Sequence, residues 1–182
     1  HNGDIGMAKE LISAAKACGA DCVKFQTFKA DDLAVKAAPK APYQLRSTDA
    51  TESQLEMLRK LELGRDEFSE LMEHCKREAI TFLSTPYGFD DIELLAELDV
   101  PAYKVASAML VEPEFLRKVA ERQKPVILSS GMATIADIDA AIRAVDATGN
   151  RQIVLLQCTT DYPAEIKDAN LRAMVSLGQV FG

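Results

Sequence analysis

The 182-residue sequence lacks most of the features that would assign it quickly to a class. No apolar run approaches the ~18 residues that cross a bilayer, so no membrane span is expected. Its four cysteines, Cys18, Cys22, Cys75 and Cys158, include no CxxC pair and no zinc-type spacing. They are read as reduced thiols, which places the chain in the cytoplasm. Lysines and arginines form no cluster, and the net charge is -7. A duplex-binding surface needs a concentrated positive field, so no nucleic acid partner is expected. A small anion stays possible, because a pocket needs only one or two local cations. No GxGxxG or Walker-type loop follows any apolar run, which removes the usual signature of a doubly wound nucleotide binder.

What is present is an alternation. Short apolar runs rich in β-branched and aromatic residues lie at Cys22–Phe28, Ile80–Ser84, Ala102–Val105, Val126–Ser129 and Ile153–Cys158, and each has the length of a strand. Amphipathic stretches of helical period separate them. Leu11, Ile12 and Ala15 form one stripe; Phe68, Leu71, Met72 and Cys75 a second; Ile92, Leu94, Leu95 and Leu98 a third. Pro113 suits a first helical turn ahead of Phe115, Leu116 and Val119. Thr134 with Asp137 reads as a capping box before Ile135, Ile138, Ala141, Ile142 and Val145. A last short helix is predicted near Asn170, with Leu171, Met174 and Leu177 facing inward.

Continuous apolar strands separated by helices suit a parallel sheet covered by helices. The expectation is an α/β fold, a (β/α)8 barrel of the TIM type, incomplete here with five strands. Residues 1–182 would be the central part of a single barrel domain in a longer chain. The long polar stretch between Lys29 and Arg65 holds Ala37-Ala-Pro-Lys-Ala-Pro-Tyr-Gln44 and a predicted helix near Ser53–Leu61. A long loop after a barrel strand commonly forms the rim of the site.

Barrel chemistry sits at the carboxyl ends of the strands. Those ends carry Lys24, Gln26 and Thr27; Ser84 and Thr85; Lys104 and Ser107; Ser129, Ser130 and Gly131; and Gln157, Cys158, Thr159 and Thr160, with Tyr162 close behind. Two ammonium groups and several hydroxyls are what a phosphate or carboxylate requires. Each residue also has a plainer role. Strand-end Ser and Thr cap helices, and lysines snorkel to water. His74, Glu93, Glu97 and Asp99 are expected on solvated helix faces.

These strand-end motifs resemble those of the sialic acid (N-acetylneuraminate) synthases and their relatives that make legionaminic and pseudaminic acids. The resemblance is carried by His1-Asn-Gly-Asp4, Lys24-Phe-Gln-Thr-Phe28, Ala38-Pro-Lys-Ala-Pro-Tyr-Gln44, Phe82-Leu-Ser-Thr-Pro86, Tyr103-Lys-Val-Ala-Ser107, Leu128-Ser-Ser-Gly-Met132 and Gln157-Cys-Thr-Thr-Asp-Tyr-Pro163. It implies condensation of phosphoenolpyruvate with the open-chain aldehyde of an N-acetylated hexosamine. C3 of phosphoenolpyruvate attacks the aldehyde, water adds at C2 and phosphate leaves. By position it implies a phosphoenolpyruvate-binding set of Lys24, Thr85, Lys104, Ser107 and Ser129. Gln26, Thr160 and Tyr162 correspond to sugar contacts. The resemblance further implies a divalent metal, Mn or Mg, on ligands outside this segment, and a catalytic glutamate on a strand before His1. It also implies a following antifreeze-like domain and a homodimer.

Three positions depart from the pattern. Met109 stands where an acidic residue is usual, Gln157 where His is frequent, and Ser130 where Thr is common. Because the metal ligands and the catalytic glutamate that the resemblance implies lie outside the segment, the segment by itself is expected not to turn over. Two other functions stay open: a synthase for a different 3-deoxy sugar acid, and a catalytically silent barrel segment used as a binding or assembly module.

Overall fold

A computed structural model describes residues 1–41, 44–46, 48–49 and 51–182; Pro42 and Tyr43 of the expected rim stretch lie outside the described residues. The chain divides into two compact units, His1–Pro101 and Ala102–Gly182, each taken by itself below.

The first unit runs α1 (Ile5–Ala17), β1 (Cys22–Thr27), α2 (Ala30–Leu33), α3 (Gln54–Arg59), α4 (Arg65–Arg77), β2 (Thr81–Pro86) and α5 (Phe89–Glu97). β1 and β2 pair in parallel, with Lys24 opposite Leu83 and Gln26 opposite Thr85. Directly paired residues in a parallel ladder point the same way, so the strands have two distinct faces. One face carries Val23, Phe25, Thr27, Phe82 and Ser84 toward the helices. There Phe25 stacks on Phe82 at 5.5 Å, Phe68 of α4 meets Phe82 edge-on, and the Thr27 and Ser84 hydroxyls share a 2.7 Å hydrogen bond. Phe68, Leu71, Met72 and Cys75 are all buried, as the helical spacing predicts. Each large apolar side chain buried this way stabilises the unit by roughly 1.5–3 kcal/mol. The opposite face carries Cys22, Lys24, Gln26, Leu83 and Thr85.

The second unit runs β3 (Tyr103–Val105), α6 (Pro113–Ala120), β4 (Val126–Ser129), α7 (Ile135–Asp146), β5 (Ile153–Leu156) and α8 (Ala173–Phe181). Its three strands are parallel in the order β3-β4-β5. Pro113 occupies the first turn of α6, and the Thr134–Asp137 capping box forms reciprocally. Tyr103, Val105, Leu116, Val119, Val126 and Leu128 are fully buried.

Both units are thus α/β with parallel strands linked through helices. The helix-to-strand reversals share one device. The residue closing each helix turns to positive φ, at Gly19, Ala79, Asp99, Gln123 and Gly149. That conformation is easy for glycine and costs a Cβ-bearing residue roughly 1–2 kcal/mol. Among the described residues no helix is long and apolar enough to cross a membrane.

The predicted last helix needs correction. It begins at Ala173, and Leu171 and Met174 are 65% and 55% exposed rather than inward-facing. β5 stands at the end of its three-strand order, so the α8 stripe has only that strand to cover. Leu155, Leu156, Met174, Leu177 and Phe181 instead line an open groove.

Candidate functional site

In the first unit, the register sets Lys24, Gln26 and Thr85 on one face at the carboxyl ends of adjacent strands. The two-residue period of β1 leads one to expect Cys22, Lys24 and Gln26 on one face; the register with β2 adds Thr85. Thr85 is 2% exposed, and its hydroxyl has no hydrogen-bond partner among the described residues. A buried polar group left unpaired costs roughly 1–3 kcal/mol, so a partner from a bound molecule is the natural remedy. Lys24 keeps much of its surface open to solvent. Its surroundings still remove enough hydration to hold the ammonium below the usual lysine pKa, with Cys22 acting weakly the other way. Gln26 extends its amide to the Tyr87 phenol at 2.8 Å. A cleft of about 480 Å³ lies along the same strand, lined in part by His1, Asn2, Lys24, Gln26 and Phe28.

In the second unit, the half-buried Lys104 ammonium donates to the Ser129 hydroxyl and, at 2.8 Å, to the Val105 carbonyl. Ser129 is also the acceptor for the Cys158 thiol at 3.4 Å. Ser107 lies in the short 3-10 turn Ser107–Met109, and its hydroxyl accepts the Gly131 backbone N–H at 3.0 Å. The Ser130 hydroxyl donates to the Leu156 carbonyl, tying the end of β4 to the end of β5. Gly131 is glycine for a steric reason. A Cβ there would lie 2.5 Å from the Thr160 hydroxyl and 3.1 Å from the Cys158 carbonyl. Lys104, Ser107, Ser129 and Thr160 therefore gather around one Ser-Ser-Gly turn. Tyr162 is 63% exposed, with its backbone N–H on the Asp161 carboxylate. Beside the turn, Gln157, Cys158 and Thr159 line a cleft of about 490 Å³ with Ser130 and Arg172.

Thr134 caps α7 as its capping box predicts, whereas the strand-end hydroxyls of Ser129 and Ser107 cap no helix and meet Lys104 and Gly131. His74 departs from its expected surface position. It is half-buried between α1 and α4, with Ser13 at 3.1 Å, because α1 packs across that face of α4. Glu97 and Asp99 are exposed as expected, and Glu93 is half-buried.

Three features escaped the sequence reading. Asp91 is 6% exposed and accepts the Tyr87 and Gly88 N–H groups through one oxygen, while burial raises its pKa. In sequence it is indistinguishable from Asp90 beside it. Tyr87 was passed over because it follows the strand rather than ending it. Lys40 stands out in sequence only as part of the polar rim stretch, and its side chain is 2% exposed. Its ammonium meets Glu52 at 2.9 Å, Thr48 at 3.0 Å and the Asp49 carbonyl at 2.6 Å. Lys60 binds the other Glu52 oxygen, and the two lysines hold the Glu52 carboxyl below its usual pKa. The rim stretch is therefore pinned to the segment that leads into α3.

No group of three or more His, Cys, Asp and Glu side chains that could hold a metal ion occurs among the described residues. The implied divalent metal has no full ligand set in them.

The sequence profile of the NeuB family matches residues 11–182. The chain is 44% identical to the N,N'-diacetyllegionaminic acid synthase of Campylobacter jejuni, covering 100% of this chain and 55% of that protein. It is 37% identical to the pseudaminic acid synthase of Helicobacter pylori, over 100% of this chain and 54% of that protein. The crystal structure of an N-acetylneuraminic acid (sialic acid) synthetase from Leptospira borgpetersenii, in complex with citrate, matches with a TM-score of 0.84. The identity there is 27%, over 100% of this chain and 58% of that one. The chain thus spans about half the length of the relatives it matches.

Proposed function

The chain belongs to the NeuB family, and from that premise we propose that it carries the phosphoenolpyruvate-binding part of a nonulosonic acid synthase. The reaction in this reading joins C3 of phosphoenolpyruvate to the aldehyde carbon of an N-acetylated amino sugar. Water supplies the oxygen at C2, and inorganic phosphate departs. The support that carries most weight is the Lys104–Ser129 pair at the carboxyl ends of adjacent parallel strands. A lysine held there by a hydroxyl and a carbonyl oxygen is a ready counter-charge for a phosphate or carboxylate group.

In this reading Lys104 and Ser129 bind an anionic group of phosphoenolpyruvate, and the Ser107 hydroxyl and nearby N–H groups complete its oxygen shell. In the first unit, taken by itself, Lys24 is a cation and Thr85 a buried hydroxyl of the kind an anion requires. Gln26 in the first unit, and Thr160 and Tyr162 in the second, are each read separately as sugar contacts. In this reading the metal and the general acid–base group belong to residues other than these. The sugar is an N-acetylated hexosamine by class.

Calorimetric titration of phosphoenolpyruvate into the full-length protein tests the proposal. Lys104→Met should weaken binding at least about tenfold, as expected on losing one partner of a desolvated charged contact. Absence of phosphoenolpyruvate binding with and without Mn or Mg would overturn the proposal and favour a silent binding module. Mass analysis of products from a panel of N-acetylated hexosamines would then identify the acceptor.

A further inference from the structure

Tyr87 stands outside the set of residues assigned above, yet it is held more firmly than a loop tyrosine needs to be. Its backbone N–H is shared between the Thr27 carbonyl at 3.2 Å and the Asp91 carboxylate at 3.1 Å. Its ring meets the buried Phe28 edge-on, with centroids 6.4 Å apart and planes at 89°. Its hydroxyl receives the Gln26 amide N–H at 2.8 Å. Gln26 itself is exposed at the end of β1. A free glutamine there would sample many rotamers, and ordering it costs up to roughly 1.5–2 kcal/mol.

From this arrangement we infer that Tyr87 is a positioning residue for the acceptor sugar, acting through Gln26. It sits two residues beyond Thr85, on the same side of β2, and Thr85 is the register partner of Gln26. The phenol therefore approaches the amide along the face that carries Lys24 and Thr85. With one N–H given to Tyr87, the Gln26 carbonyl oxygen and its second N–H remain for a substrate. One donor and one acceptor at fixed positions match a hydroxyl or an N-acetyl group of a sugar and do little for a phosphate. Asp91 takes part by holding the backbone from which the Tyr87 ring projects. The sequence distance explains why pattern reading missed it: Gln26 and Tyr87 are 61 positions apart.

The inference rests on the reading of Gln26 as a sugar contact, and the test separates the two. Steady-state KM values for the acceptor and for phosphoenolpyruvate are measured in the full-length protein for the wild type, Tyr87→Phe, Gln26→Leu and the double variant. Phe keeps the ring against Phe28, so the fold is preserved, and equal melting temperatures check this. The expected result is an acceptor KM raised about fivefold in Tyr87→Phe, the worth of one ordinary hydrogen bond. The KM for phosphoenolpyruvate and kcat should stay unchanged, and the effect should vanish in the Gln26→Leu background. If Gln26→Leu alone leaves the acceptor KM unchanged, the sugar-contact reading fails and this inference with it. If Gln26→Leu raises it while Tyr87→Phe does nothing, or adds its full effect in the double variant, the positioning role is refuted and the sugar contact stands.

Discussion

Gly131→Ala is the substitution whose outcome the geometry constrains most tightly. The new Cβ would sit 2.5 Å from the Thr160 hydroxyl, 3.1 Å from the Cys158 carbonyl oxygen and 3.2 Å from its carbon. The Thr160 side chain is exposed and can rotate away. The Cys158 backbone cannot, so it must shift by a few tenths of an ångström. Overpacking of this kind costs about 1–3 kcal/mol, and the mobility of Thr160 favours the lower half of that range. At about 2–4 °C per kcal/mol for a chain of this size, the melting temperature should fall by roughly 2–8 °C. Gly178→Ala is the matched control. Gly178 lies inside α8 with nothing within 4 Å of its Cβ position, so alanine should hold or raise stability by up to about 1 kcal/mol. Thermal melts followed by circular dichroism give both values. Catalysis gives a second readout, because the shift displaces Thr160 and the Gly131 N–H bound to Ser107. A Gly131→Ala protein that melts no lower than Gly178→Ala would refute the close-approach argument.

Three further outcomes are expected. Lost hydration already holds the Lys24 ammonium below the ordinary lysine pKa, and an anion binds only its charged form. Phosphoenolpyruvate affinity should therefore decline as pH rises through that lowered pKa, and Lys24→Arg should remove this alkaline limb in a titration series. The same shift means that the folded chain binds fewer protons at Lys24 than the unfolded chain, so this group's contribution to stability improves with rising pH over that window. Asp91→Ala should lower stability by about 1 kcal/mol in denaturant melts, because the Gly88 N–H loses its acceptor and the Tyr87 N–H keeps only the Thr27 carbonyl. Asp91→Asn should be nearly neutral, since one oxygen serves both bonds and burial already disfavours the charge. Lys40→Met should leave Glu52 to Lys60 alone and release the rim stretch. Limited proteolysis should then cut between residues 36 and 53 before any other region, and an unchanged cleavage pattern would contradict the pinning role.

Apolar runs and helical period were enough to place the five strands and most of the longer helices, because each of these shows an apolar face to its unit's core; the short α2 was not foreseen. The α4 stripe of Phe68, Leu71, Met72 and Cys75 and the Thr134–Asp137 cap needed nothing beyond local sequence. Alternation along β1, a local property, also put Lys24 and Gln26 on a common face, whereas Thr85 joined them only through the register of β2. The α8 stripe was legible too, but how deeply it is buried depends on what lies beside β5, which no local pattern encodes.

Tertiary structure alone decided the partners. Ser129 accepts from Lys104 across 25 positions, Gln26 finds Tyr87 across 61, and Asp91 rather than Asp90 is the buried carboxylate. Composition and spacing describe what a residue can do chemically. Whether an ammonium meets a hydroxyl or water depends on distances set when separate strands pair. That pairing is a property of the folded chain as a whole.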